Sequence, residues 1–423
     1  MFSFVRQLFK GKDLRNKVLI VAALLIVTRL FASIPIPGAD QEKLRLFFAQ
    51  NQFLGLVNLF SGGALSNFSI AMLGVGPYIT ATIILQLLTM VFPSIKTMYY
   101  EEGEQGRQKF NQYARLMTAA LAAIQGFSFL SYLKTQGVVA SLSPFDLVVN
   151  IFLITAGSMF LMWLGELITE QKIGEGVSLI IFSGIIAGLP TSLRTNILTF
   201  DPSQIPSYVI FIALALVTIV GVVLINDAER KIPVNYAKRV RGMKMYGGAN
   251  TYLPIRVNQA GVIPIIFAIS ILLFPGMIAQ VLALTKNPAV LRFAVQTQAL
   301  LNNQAVYGIS YFVLVFIFTY FYTMITFEPN EISKNLQKQG GFIPGIRPGH
   351  NTASYLSQVL NRITFPGAIF LGVIAVLPLI VQAITGVASL RLGGTSLLIV
   401  VSVALDTIRQ IRAQLLMREY DTF

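Results

Sequence analysis

The chain has 423 residues, 55% of them hydrophobic and only 12% charged, about half the charged share of a soluble globular domain. Its mean hydropathy is +0.69, and apolar runs of about 20 residues recur between short basic loops, the pattern of a polytopic helical membrane protein. With no Cys and a single His, His350, in a polar loop, a disulfide framework, a thiolate metal site and a membrane-embedded His relay are excluded.

Enzyme signatures are missing as well. One loop His leaves no Ser/His/Asp triad, and neither HExxH nor GxxxxGK[ST] occurs. The chain is read as a non-enzyme without a cofactor, and energy for uphill movement has to come from a partner.

Ten spans are predicted, at 18–34, 70–92, 114–133, 147–166, 177–197, 206–226, 259–281, 306–327, 363–384 and 393–408. The first follows a basic N-terminus but lacks a small-residue cleavage site, so it reads as a span rather than a cleavable signal peptide. The segment from Gly55 to Phe92 is too long for one span and too short for two plus a turn. Its break is written at Ser61, Gly62 and Gly63, with further polar punctuation at Ser66, Asn67 and Ser69. A full span fits from Phe68 to Pro93, and the fragment Leu56 to Leu65 cannot cross. Such backbone persists at membrane depth only when buried in protein or lining a watery cavity, so a cavity is expected here.

Most of the 32 Lys and Arg fall in loops on the side of the N-terminus, which places both termini in the cytosol. Two of these loops exceed what topology requires. One, 227–256, holds Lys238, Arg239 and Arg241; the other, 328–362, holds GGFIPGIRPGH, whose prolines and glycines present Arg347 at a stiff tip. Both suit acidic partners, including RNA phosphates.

The second and seventh spans echo each other. Gly74, Val75, Pro77 and Ile79 match Gly261, Val262, Pro264 and Ile266 at one constant offset. Ten spans divide into five and five, and an odd repeat inserts its second copy upside down, with sites expected where the repeats meet at the midplane. Ile79, Ile83 and Gln86 share one helical face, and Asn258, Val262 and Ile266 another. Lipid contact or ordinary packing would account for an isolated isoleucine. Gln86, Asn258 and Gln125 of the third span call for a neighbouring helix, because an amide facing lipid is costly. Only Arg29 lies clearly within a span, with Glu166 and Asp406 near cytosolic ends. Ion-coupled transporters usually carry more.

IPIPG from Ile34, LVNLFSGGAL from Leu56, LGVGPYITATIILQLL from Leu73, EGEQGRQKFNQYAR from Glu102, GEGVSLIIFSGIIAGLP from Gly174, IPVNYAKRVRG from Ile232, NQAGVIPIIFA from Asn258, GFIPGIRPG from Gly341 and GGTSLLIVV from Gly393 occur in this order between the spans. Together they resemble the SecY family of bacterial protein-conducting channels over nearly the whole chain. The resemblance implies an all-α clam-shell channel, with one half in 1–200 and the other in 201–423, in the bacterial plasma membrane. It implies a plug in 56–68, on Leu56, Asn58, Leu59, Phe60, Ser61, Gly62, Gly63 and Leu65. The implied pore ring is Ile79, Ile83, Ile185, Ile266 and Ile399, with Ile181 and Ile263 adjacent. Spans two and seven would form a lateral gate held by Gln86 and Asn258, with Gln125 nearby, and Arg347, Lys238, Arg239 and Arg241 would dock SecA or a ribosome through its rRNA. Implied partners are SecE and SecG, signal-sequence-bearing polypeptides and lipid. The external segment 282–307 carries no family motif. From the residues alone a secondary transporter, and behind it a structural scaffold, remain alternative readings.

Overall fold

The computed structural model describes residues 11–37, 44, 58, 61, 63–65, 67–135, 137–139, 143–198, 205–236, 239–241, 244–246, 250–282, 285, 287–385 and 391–421. Its first part runs α1 (Lys12–Ala32), α2 (Gly76–Val91), α3 (Pro93–Tyr100), α4 (Gly103–Thr135), α5 (Pro144–Glu170), α6 (Gly176–Leu198) and α7 (Ile205–Asp227). Strands β1 (Glu229–Tyr236), β2 (Arg239–Arg241), β3 (Lys244–Tyr246) and β4 (Asn250–Arg256) follow. Then come α8 (Ile263–Leu282), α9 (Pro288–Asn302), α10 (Gln304–Thr326), α11 (Pro329–Lys338), β5 (Gly341–Phe342), α12 (His350–Thr385) and α13 (Arg391–Asp421).

Among the described residues, α4, α5, α7, α10 and α12 are long and apolar enough to cross a membrane. The α2–α3 pair makes a sixth candidate, bent by 114° at Phe92 and Pro93, while α6 and α8 contribute shorter apolar stretches. Every predicted span falls on a helix, but two start late. The second and seventh begin at Gly76 and Ile263, because Gly74 and Gly261 take left-handed φ of 57° and 60° that a helix does not propagate through.

Residues 67–75 are therefore a chain of turns, tied by bonds such as Met72 N to Ser69 O at 2.9 Å and Gly74 N to Ala71 O at 2.8 Å. Ile36 N and Ile70 N also donate to Phe68 O and Ile34 O, at 2.8 and 3.0 Å. Ala64, Leu65, Phe68, Ser69, Ala71 and Met72 are all buried, so this irregular backbone is shielded by protein, as its depth demands. Gly157 of α5 is the floor beneath it: a Cβ there would stand 2.2 Å from Ile70 O.

Helices α4 and α5 pack together, with α2 on α4, α6 on α5 and α1 on both α5 and α6. A second group joins α10 to α12 and α8, and α13 to α7 and α12. The groups meet where α8 lies against α2 and α4, and where α13 lies against α6. The segment after α8, which carries no family motif, contains α9, capped by Asn287 and seated on α8 and α10.

The expected all-α chain includes a small sheet. β1 pairs antiparallel with β4 from Glu229↔Arg256 to Asn235↔Asn250, and with β5 through Asn235↔Phe342 and Tyr236↔Gly341. Ile232, Val234 and Ile255 turn inward onto Phe327, Ile343, Leu356 and Leu360. That burial welds two loops, read as separate in the sequence, into one body.

Candidate functional site

The predicted pore isoleucines lie on four helices. Ile79 and Ile83 stand one turn apart on α2, Ile185 on α6, Ile266 on α8 and Ile399 on α13; none is more than 6% exposed, and all belong to one apolar cluster. Ile181 shares that cluster, and Ile263 packs on it partly buried. The isoleucine side chains offer water and ions no hydrogen-bonding group, so a narrow passage through them resists both while yielding to a wider apolar guest.

The turn segment abuts this cluster. Ala64 belongs to it, whereas Leu65 and Phe68 anchor in a second cluster with Ile36, Leu130, Leu133 and Ile154. Ser61 fixes the turn by donating its hydroxyl to Asn58 O at 3.0 Å and accepting from Leu65 N at 3.1 Å. Gly63 takes φ 83°, the left-handed region, and donates its N–H to Asn58 O. Leu56, Leu59, Phe60 and Gly62 lie outside the described residues.

Two cavities open beside the cluster. One of about 450 Å³ is bounded by the end of β4, the linker into α8, the start of α6, the end of α10 and the middle turns of α13. The other, about 180 Å³, follows the α2–α8 seam past Thr82, Gln86, Asn111, Ile263 and Ile266.

The three expected gate amides are dispersed. Gln86 lines the seam cavity with its buried Oε1 unbonded. Asn258 lines the larger cavity, donating Nδ2 to Asn226 Oδ1 at 2.7 Å and to Gly261 O at 3.3 Å, while its own Oδ1 is unbonded. Gln125 is buried on α4 and lines neither cavity. Asn258 thus staples the end of α7 to the start of α8, and Asn226 Nδ2 continues to Ser402 Oγ of α13 at 3.5 Å.

The sequence gave no role to Glu175, which precedes α6 and lines both cavities. It accepts a bond from Ser178 Oγ at 2.6 Å. The residue is exposed on the cavity wall, and the protein packed around it raises its carboxyl pKa above the usual range by desolvation; the Ser178 bond opposes this and the charge of Asp406 adds to it. Asp406 meets Arg409 at 3.6 Å, and Arg409 also pairs with Asp227. Farther along the seam, Lys96 of α3 meets Glu328, just before α11, at 3.6 Å. The only local signal for Glu175 was an acid between two glycines, at Gly174 and Gly176, ahead of a span.

Arg347 is exposed on the loop after β5. The loop is held by Thr352 Oγ1 donating to Arg347 O at 3.0 Å and Ser333 Oγ to Gly349 O at 2.6 Å. Arg239 and Arg241 lie on β2, and Lys238 is outside the described residues.

Long apolar helices packed in two groups over a shared apolar cluster, with a broken segment packed against it, define a polytopic helical membrane protein with channel architecture. The SecY family profile matches residues 69–408. Protein translocase subunit SecY of Thermotoga maritima is 43% identical, covering 100% of this chain and 98% of that protein; its Streptomyces galbus counterpart is 40% identical, covering 100% of both. A solved structure described as a protein conducting channel shares the fold with a TM-score of 0.65 at 18% identity, over 94% of this chain and 91% of that one. Sec61 in a canine ribosome-channel complex gives 0.62 at 18% identity, over the same 94% and 91%. The chain belongs to the SecY family of protein translocase channel subunits.

Proposed function

We propose that this chain is the conduit for unfolded secretory polypeptides across the plasma membrane, and that it releases signal sequences and membrane helices sideways into lipid. The observation that carries this reading is that Ile79, Ile83, Ile185, Ile266 and Ile399, from four helices, are all buried in one apolar cluster. A seal of this kind grips any extended chain without reading its sequence.

The halves 1–200 and 201–423 act as two jaws, which the packing of α8 on α2 and α4 and of α13 on α6 supports. The gate is the α2–α8 seam, and the segment carrying Ser61, Gly63 and Leu65 is the plug. SecE and SecG accompany the chain in the membrane. SecA or a ribosome supplies the energy from the cytosolic side, where both termini lie. Docking is on Arg347, Lys238, Arg239 and Arg241; one structural neighbour is Sec61 in a ribosome-channel complex.

The chain has no Cys, so single-cysteine variants are unambiguous. Ile83→Cys should crosslink to a stalled translocating polypeptide in reconstituted membranes, and Val217→Cys, 68% exposed on α7, should not. Equal yields at the two positions would refute the pore assignment.

A further inference from the structure

Helix α8 has 20 residues, about 30 Å at 1.5 Å per residue, close to the thickness of a hydrocarbon core. It starts just after β4 and ends at Leu282, and α10 runs back to α11 and β5. The helix between them, α9, therefore lies at the membrane face opposite the sheet. It has 15 residues, and its least exposed ones, Val290, Ala294, Thr297, Gln298 and Leu301, fall within one arc turned to α8 and α10.

The rest of the helix surface is not polar. Leu291, Phe293, Val295 and Leu300 are 42, 60, 56 and 58% exposed. At 3.6 residues per turn, Phe293 and Leu300 make one apolar edge and Leu291 and Val295 the other, with Arg292 and Gln296 on the ridge between them. An apolar edge beside a cationic ridge is the pattern of a helix that lies in a bilayer interface rather than in water.

The flanking spans say what covers it. Ile278, near the end of α8, is 48% exposed, and Val306 and Ile309, in the first turns of α10, are 37 and 67% exposed. In a membrane protein these side chains face lipid, so the apolar level of the bilayer reaches both of the helix ends that α9 joins. The exposed edge of α9 continues that belt.

We propose that α9 is an interfacial helix seated in the leaflet opposite the sheet, with the Phe293–Leu300 edge among the acyl chains and Arg292 at the level of the headgroup phosphates. That edge carries more apolar surface, a phenylalanine and a leucine against a leucine and a valine. The placement stands on the membrane class alone. Its consequence rests on the channel reading above: α8 is a wall of the seam, and lipid that holds α9 holds the far end of that wall, so α8 cannot leave α2 without dragging α9 through the interface.

The test uses the complete translocase in proteoliposomes. This chain has no Cys, so one nitroxide at a time is placed on Phe293→Cys, Leu300→Cys, Gln296→Cys or Ile309→Cys, with partner subunits that also lack Cys. Oxygen concentrates among acyl chains, whereas a nickel chelate stays in water. The ratio of oxygen to nickel collisions at 293 and 300 should approach that at 309, the lipid-facing reference, and exceed that at 296 several-fold. Ratios at 293 and 300 no higher than at 296 would put the edge in water and overturn the assignment. Low collision rates with both agents would mean that a partner subunit or a second copy covers the edge, which overturns it too. A water-like ratio at 309 would refute the lipid-facing belt and the assignment with it. For the consequence, Phe293→Glu combined with Leu300→Glu should speed quencher access to a dye on Ile263→Cys several-fold. An unchanged rate would overturn the hold on α8, whereas a translocase that passes no substrate would refute the channel reading and leave the collision ratios standing.

Discussion

Gly74 and Gly261 hold the same left-handed backbone, φ 57° and 60°, each two residues ahead of a helix start, at α2 and α8. Pro77 and Pro264 then occupy the same second position of α2 and α8, where a missing N–H costs nothing. The weak sequence echo is therefore a shared structural device, ending a turn and launching a helix toward the constriction from each half. Replacing either glycine by Ala forces a Cβ into the left-handed region at about 1–2 kcal/mol, and at Gly261 that Cβ also stands 3.3 Å from Asp406 Oδ2. Each single variant should lower the thermal unfolding midpoint of the purified protein in detergent, and the double variant by roughly the sum. An unchanged midpoint would mean that the helices start elsewhere.

Gly157→Ala tests the floor under the turn segment. The new methyl would meet Ile70 O at 2.2 Å, too close without moving backbone, so residues 67–75 must shift. Resting ion conductance in planar bilayers should rise several-fold, as it should for Ile83→Ser in the constriction. Normal conductance in both variants would separate the seal from these residues.

Lys96 and Glu328 pair at 3.6 Å with side chains 54% and 23% exposed, so the bond is worth at most about 1 kcal/mol. Its position, joining the end of α2–α3 to the end of α10, gives it leverage over the seam. Lys96→Glu should speed quencher access to a dye on Ile263→Cys in the seam cavity, and adding Glu328→Lys should restore the slower rate. Failure of the double variant to restore it would show that the pair does not hold the seam.

Arg347→Glu should weaken ribosome cosedimentation most at low salt. If one RNA phosphate is lost, the slope of log affinity against log salt should shrink by about 1. A parallel fall at every salt concentration would point to loop misfolding instead.

Much of the helical frame was legible because a span's apolar length is written in one continuous stretch. The isoleucine cluster was legible only through family motifs, since Ile185 and Ile399 have no local mark that separates them from lipid-facing isoleucines. The start of α2 was misplaced because residues 68–75 are as apolar as the helix that follows; only Gly74 hinted at the turn. The sheet was missed for a different reason. β1 alternates its buried Ile232 and Val234 with outward residues, but Pro233 and Pro254 argue against strands, and the dense charge drew the reading toward an open loop. Glu175 escaped notice because its cavity exists only once α6, α8 and α13 come together.

The sheet and the Asn258 staple also make the face that carries the strands a lever. Arg347 stands on a loop that follows β5, β5 is bonded to β1, β1 to β4, and β4 leads through Val257, tied to Ala228 O at 2.9 Å, into α8. On the proposed reading, a partner that pulls on the loop loads α8 through hydrogen-bonded backbone rather than slack chain. Coupling of this kind is reciprocal: if a polypeptide wedges between α2 and α8 as proposed, it alters the grip of whatever sits on Arg347 by the same free energy.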